Sequence, residues 1–513
     1  MGERVSPDRK HGRHRGYNRR MRHVATLGVW IALTGCSLIY NPSNLPPPID
    51  APPADADPSM LRLDGAGPAL LLEGQGTGGS RTAILAITGQ NFVAAASVRV
   101  FATGSETPMI TVNNTDPMIT TKVSAASDVL AVSVTLPVDP ALPANPANAM
   151  QDIPLTIEVS QPLPMGAGVV TKTLTGAVTL RTLPELIAGT SDSASLRPMY
   201  SQVDLSGPLT FTAAAGRPRA LIRSASTIRL KDVTVSAAAN APGPGAGAGG
   251  ASAQMGGGAS GGGAGSLLSG GGGGGLATAG KDGGGTGGVI AGGIASGDPL
   301  ISSYVTPNNV SGGGGGGAGS VGGGGGGTLE LTAAGDLQVN AILASGAVGA
   351  DGGTTAAGGG AGGIVVIRSG GTATLGGAIN AVGGLAGTGG VGTAGAGSTG
   401  RTRIDAPIIS GTPVVDPPFH RGASWDPATP LTTKTSPFAM KLSGTAADKF
   451  DVVVLDGVGG ASSPAFTADF GNATMITVRP TLQPGFNRVC VTRSGGSVTV
   501  VEATNCIDLA YLP

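Results

Sequence analysis

Gly322-Gly-Gly-Gly-Gly-Gly-Thr328-Leu-Glu-Leu-Thr-Ala-Ala-Gly-Asp-Leu337-Gln-Val339-Asn-Ala-Ile342 decides how this chain is read. A hexaglycine run leads into residues whose apolar members alternate, Leu329/Leu331 and then Leu337/Val339, the two-residue period of a strand with one buried face. The cassette recurs. Ile222-Arg-Ser-Ala-Ser-Thr-Ile228-Arg-Leu230-Lys-Asp-Val233 superposes on Leu331 to Ile342 with every large apolar residue matched and no gap. A third copy begins at Ile367, reaches Leu375 and needs one extra residue before Ile379. Its offset of about 36 residues from the second lies in the range of stacked repeats.

Between the cassettes, from about residue 241 to 400, glycine dominates, with further hexaglycine runs at Gly270–Gly275 and Gly312–Gly317. A helix is excluded, since each interior glycine costs about 1 kcal/mol relative to alanine. Two readings remain for the glycine. One is a flexible linker, because glycine loses the most freedom on ordering. The other is a β-solenoid with glycine-rich arcs, because isolated strands this short need stacking to persist. In the second, the hexaglycine runs pack as extended polyglycine helices, which side chains would keep apart. The composition resembles glycine-rich repeat regions of secreted bacterial proteins and the glycine-rich domain of some animal receptor kinases.

Working outward, Val203-Asp-Leu205 and Leu209-Thr-Phe211 read as strands capping the stack, and residues 184–405 as the solenoid with a long glycine-rich insertion. Residues 60–183 read as strand after strand: Ile84 to Phe92, Ser97 to Phe101, Val129 to Leu136 and Ile153 to Val159. Ile87-Thr-Gly-Gln-Asn-Phe92 followed by Val98-Arg-Val100 resembles the signature of the IPT/TIG family of immunoglobulin-like β-sandwiches; the insertion around Pro140–Gln151 is long for that family. Residues 406–513 read as a second β-sandwich, with strands at Phe450–Leu455, Met475–Arg479, Arg488–Thr492, Val498–Val501 and Cys506–Tyr511 and a hairpin turn at Arg493–Ser497. The expected fold is all-β: sandwich, glycine-rich solenoid, sandwich.

The N-terminal residues read as an address. A basic stretch ends at Arg22-His23, and an apolar run, Val24 to Leu33, follows that is too short to span a bilayer. It closes on Leu33-Thr34-Gly35-Cys36, which resembles the lipobox of bacterial lipoproteins. The resemblance implies removal of residues 1–35, a lipid on Cys36 and, with Ser37 next, an outer-membrane or cell-surface location. Residues 36–59, rich in proline, read as a solvated tether. With Cys36 lipidated, the other two cysteines, Cys490 and Cys506, are left to pair in an oxidising compartment. Of 31 basic and 31 acidic residues, eight and two fall within residues 1–35, so the remainder carries 23 basic against 29 acidic. That balance argues against a nucleic-acid partner.

Little chemistry is in reach. Past residue 35 the only histidine is His420, on a proline-rich boundary, where it reads as a solvated linker residue. Neither a Ser-His-Asp arrangement nor a Cys/His zinc site can be assembled around it. Gly258-Ala-Ser-Gly-Gly262 and Gly275 to Asp282 match nucleophile and phosphate-loop patterns without the flanking strand and helix those need. Asp351 in Gly349-Ala-Asp-Gly-Gly353 has the core of a calcium-binding repeat, but Asp282, Asp298 and Asp336 are scattered. Trp425 is the one tryptophan beyond the signal for stacking on a sugar. No catalytic residue, metal or cofactor is therefore expected. The functional expectation is a lipid-anchored structural or adhesive module whose partners are the membrane and a surface polysaccharide or surface protein. A polysaccharide-active β-helix enzyme or a carbohydrate-binding surface protein is the alternative.

Overall fold

A computed structural model describes residues 61 to 512 apart from short breaks, the longest being 137–150, 184–199, 297–311 and 494–504. The signal, Cys36, the tether, the Pro140 insertion, Asp298, the 494–497 turn and the Val498–Val501 strand lie outside the described residues. The chain from Pro58 onward is one compact unit and contains the three main cores. It is all-β.

The first core is a sandwich. Strands Arg62–Gly67, Arg81–Gln90, Ser127–Leu136 and Ile119–Val123 form one antiparallel layer, and Ser97–Ala102, Gln151–Pro162 and Val169–Thr182 the other. Pro108–Asn113 pairs with both layers and joins them. Leu85, Ile87, Val98, Val100, Leu130 and Ile157 close the interior. The near-continuous apolar run Ala83 to Ile87 has a reason. Its second face, Ile84 and Ala86, packs on Phe486, Ala510 and Leu512 of the C-terminal module.

The solenoid follows the repeat alignment residue for residue. Ile228 pairs with Leu337, Leu230 with Val339 and Val233 with Ile342, all in parallel. Ile222 pairs with Leu331, Leu331 with Ile367 and Ile367 with Ile404. The extra residue of the third copy is absorbed at Gly376-Gly377, between strands Thr372–Leu375 and Ile379–Asn380. These columns of aliphatic side chains are fully enclosed and form one core.

Two features go beyond the sequence reading. Val203–Leu205 and Leu209–Thr210 do more than cap: they pair in register with Ile228–Leu230 and Val233–Thr234 and form a full first rung. At the other end the stack does not stop at Asp405. Strands Ile408–Gly411, Val415–Asp416 and His420–Arg421 continue it, pairing with Thr372–Leu375, Ile379–Asn380 and Arg403–Ile404. The solenoid therefore ends at about Arg421, and the proline-rich stretch belongs to its last rung. The prolines fit because an edge rung has fewer ladder bonds to donate.

The C-terminal sandwich packs Ser424–Trp425, Met440–Ser443 and Met475–Val478 against a sheet ordered Thr432–Thr433, Cys506–Tyr511, Gly485–Arg493, Lys449–Leu455 and Phe466–Asp469. Cys490 and Cys506 stand opposite one another on adjacent strands and form a disulfide.

Candidate contact face and the buried charge cluster

Thr328 pairs with Ile364, 36 residues on, and Ile364 with Arg401, 37 on, whereas Ala220 must wait for Leu329. The residues between rungs are the glycine arms, and they are ordered. Gly271 and Gly274 donate to Ala356 and Gly359; Gly272 and Gly275 donate to Gly263 and Ser260; Gly273 donates to Lys281. Each neighbour is thus met every third residue, the period of an extended helix with three residues per turn. Gly313 and Gly316 repeat the pattern toward Gly275 and Gly272, and Gly314 and Gly317 toward Gly257 and Gln254. The three hexaglycine runs are buried throughout.

Backbone packs directly on backbone here. A Cβ at Gly316 would meet the Gly263 carbonyl, one at Gly315 that of Gly358, and one at Gly360 that of Gly324, all closer than 3.0 Å. Glycine is required by this approach. The entropy lost on ordering each glycine is offset by buried hydrogen bonds worth roughly 0.5–1.5 kcal/mol apiece.

The arms reverse direction at six tips: residues 251–255, 266–269, 286–289, 318–321, 350–355 and 387–393. Hydroxyls bind these tips into one distal face. Ser252 Oγ donates to the Ala318 carbonyl at 2.8 Å, Ser320 Oγ to Ala350 at 2.7 Å and Ser269 Oγ to Gly288 at 2.9 Å. Thr355 Oγ1 donates to Ser266 at 2.9 Å and accepts the Gly319 N–H at 3.0 Å. Asp351 Oδ1 accepts both the N–H (2.7 Å) and the hydroxyl (2.8 Å) of Thr388. Those bonds, the backbone one foremost, hold the Asp351 carboxyl below the usual carboxylate range. Met255, Leu267, Leu268, Val289, Val321 and Val391 project from the tips, each at least 37% exposed. The result is an aliphatic, almost uncharged face at the far end of a rigid bundle.

Of the aspartates weighed as calcium ligands, the three among the described residues are turn latches. Asp351 serves Thr388, Asp336 Oδ1 accepts the Thr372 N–H at 2.7 Å, and Asp282 Oδ1 accepts that of Gly292 at 2.7 Å. Among the described residues no three His, Cys, Asp or Glu side chains are grouped to hold a metal.

A second feature lies on the outer face of the sheet Ala220–Ser224, Thr328–Ala333, Ile364–Ser369 and Arg401–Asp405. Parallel register brings together side chains of successive rungs that lie far apart in sequence. Glu330, 1% exposed, faces Arg368 at 3.1 Å, Arg219 at 3.5 Å and Arg223 at 3.6 Å. Asp405, wholly buried, accepts from Arg403 Nε at 2.6 Å, from Asn505 Nδ2 at 3.3 Å and from Arg368 Nε at 3.4 Å. Burial by itself would push Asp405 up; the charges of Arg403 and Arg368, with the hydrogen bonds from Arg403 and Asn505, outweigh it and hold the carboxyl below its ordinary value. A carboxylate so held is a poor proton donor near neutrality. The cluster joins the solenoid to the C-terminal module, since Asn505 also accepts Trp425 Nε1 at 2.9 Å and Arg403 lies over the Phe450 ring at 5.9 Å.

His420 is not a solvated linker residue. It is half-buried in the last rung, and its Nε2 lies 2.8 Å from Asp448 Oδ2 of the C-terminal module. Trp425 is buried, so its ring is unavailable to a sugar. Sequence reading missed the tip face, although a signal exists: serine and threonine interrupt the glycine where the arms turn. No family model matches the chain, and no characterised protein or solved structure was found to be similar to it.

Proposed function

We propose that this chain is a lipid-anchored protein of the bacterial cell surface or outer membrane that acts as a structural or adhesive module. The observation that carries the reading is the glycine bundle: a side-chain-poor rod, locked by backbone hydrogen bonds, that presents six hydroxyl-stitched tips at its end. Such a rod suits display rather than turnover. The Leu33-Thr34-Gly35-Cys36 lipobox resemblance supplies the anchor and the proline-rich tether the stand-off, and the IPT/TIG resemblance of residues 60–183 supports a surface role. The two buried acids of the solenoid face, Glu330 and Asp405, are engaged by arginines, which favours this reading over a β-helix enzyme.

Two measurements test it. The intact mass of protein extracted from membranes should show loss of residues 1–35 and acyl mass on Cys36; a soluble, unmodified product rejects the anchor. Cells displaying the chain should attach to surfaces or to one another more than cells displaying a form lacking residues 235–327. Equal attachment rejects the adhesive role.

A further inference from the structure

The distal face has a composition that selects its partner. Among the tip residues only Asp351 is charged, and its carboxylate already accepts both donors of Thr388. The six aliphatic side chains expose on the order of 200–400 Å² of apolar surface, taking about 60–120 Å² for each fully exposed side chain. A stable protein interface needs about 800 Å² per partner. Apart from the adjacent Leu267 and Leu268, the side chains stand on different tips, five in all, so they offer no continuous relief for another protein, or a second copy of this chain, to match. A fluid hydrocarbon surface makes no demand for shape and accepts separate aliphatic groups, and neither lysine nor arginine among the tips calls for an anionic headgroup.

We infer that the tips of the glycine bundle insert into a lipid surface through Met255, Leu267, Leu268, Val289, Val321 and Val391. The inference rests on the reading of the bundle as a display module and names what it touches. The bundle is built for such contact. Its arms bind their own backbone groups internally, so approach to hydrocarbon leaves few of them stranded.

The test uses residues 58–513, which hold the cores and leave out the signal and the anchor. Flotation with neutral phosphatidylcholine vesicles should carry this unit upward, equally at about 0.1 M and about 1 M salt, because no ion pairing is involved. Leu267→Ser with Leu268→Ser and Val289→Ser should lower the bound fraction roughly tenfold or more. The independent pair Met255→Ser/Val391→Ser, from other tips, should lower it too, with thermal midpoints unchanged in both variants. Absence of flotation, flotation that ignores both sets, or a tip-dependent dimer in sedimentation equilibrium would overturn the inference. The cell-attachment comparison reads the adhesive role separately, so loss of one does not decide the other.

Discussion

Replacing Gly360 by alanine adds one methyl group to a buried arm, and the structure dictates where that methyl must go. It would press on the Gly324 carbonyl of the adjacent arm, with the Gly323 carbonyl 2.8 Å away. Both obstacles are backbone, so the arms themselves must part. Gly360 donates to Ala347 at 2.9 Å and accepts from Gly384 at 2.7 Å. Disturbing these two buried bonds costs about 1–3 kcal/mol each. Alanine also restricts the unfolded chain, which restores about 0.4–1 kcal/mol. The net expectation is a loss of roughly 1–5 kcal/mol, or about 1–5 °C in the thermal midpoint of the unit Pro58–Pro513, at about 2.1 cal/mol/K of unfolding entropy per residue. Gly353→Ala is the matched control. It sits on an exposed tip with nothing within 4 Å of its Cβ, so only the unfolded-state term remains and the change should be neutral or slightly stabilising. In a flexible linker the two substitutions would be indistinguishable. Calorimetric unfolding that finds Gly360→Ala as stable as Gly353→Ala refutes the packed-arm argument.

Further expectations follow from the same structure. Leu337→Asp places an unpaired carboxylate in a column with no exposure and should cost several kcal/mol, about 3–5, melting the solenoid cooperatively in hydrogen exchange while the first sandwich keeps its protection. Asp405→Asn leaves Arg403 and Arg368 short of a counter-charge and should cost a similar amount in urea unfolding. Asp405 is held below its unfolded value, so its contribution is complete above the unfolded pKa of about 3.9 and is lost as pH falls through the lower folded value. Wild type should therefore lose part of its advantage over Asp405→Asn only in strong acid; an advantage that vanished between neutral pH and pH 5 would contradict the assignment. Reducing Cys490–Cys506, 16 residues apart, should lower stability by about 3 kcal/mol, read as a dithiothreitol-dependent shift in midpoint.

The solenoid core was legible because its apolar residues repeat in sequence. Ile228, Leu337 and their neighbours sit at equal offsets, and parallel register needs nothing more. The first and last rungs were less legible because their columns are diluted: Val203 and Leu209 come before the glycine, and Gly411 stands where Leu230, Val339 and Leu375 stand in other rungs. The charge cluster was invisible for another reason. Arg223, Glu330, Arg368 and Asp405 are up to 182 residues apart and meet only through rung stacking. His420 was misjudged because its partner Asp448 belongs to the next module. The turns of the arms are marked in sequence by serine and threonine interrupting the glycine, but the tip face could not be placed until the arms had a direction that brings those turns to one end.

Amide hydrogen exchange across residues 312–327 and 344–363 tests most directly whether the glycine tract is a hydrogen-bonded part of the fold. Glycine amides in an open chain exchange fast, whereas Gly314, Gly316, Gly323, Gly326, Gly358 and Gly360 all donate to backbone carbonyls inside the bundle. These amides should exchange at least about a thousandfold more slowly than in the unfolded chain, as slowly as the strands Thr328–Ala333 and Ile364–Ser369 that flank them. Fast exchange throughout the arms, with protection confined to the strands, would contradict the account and reduce the bundle to loops hung on a bare solenoid.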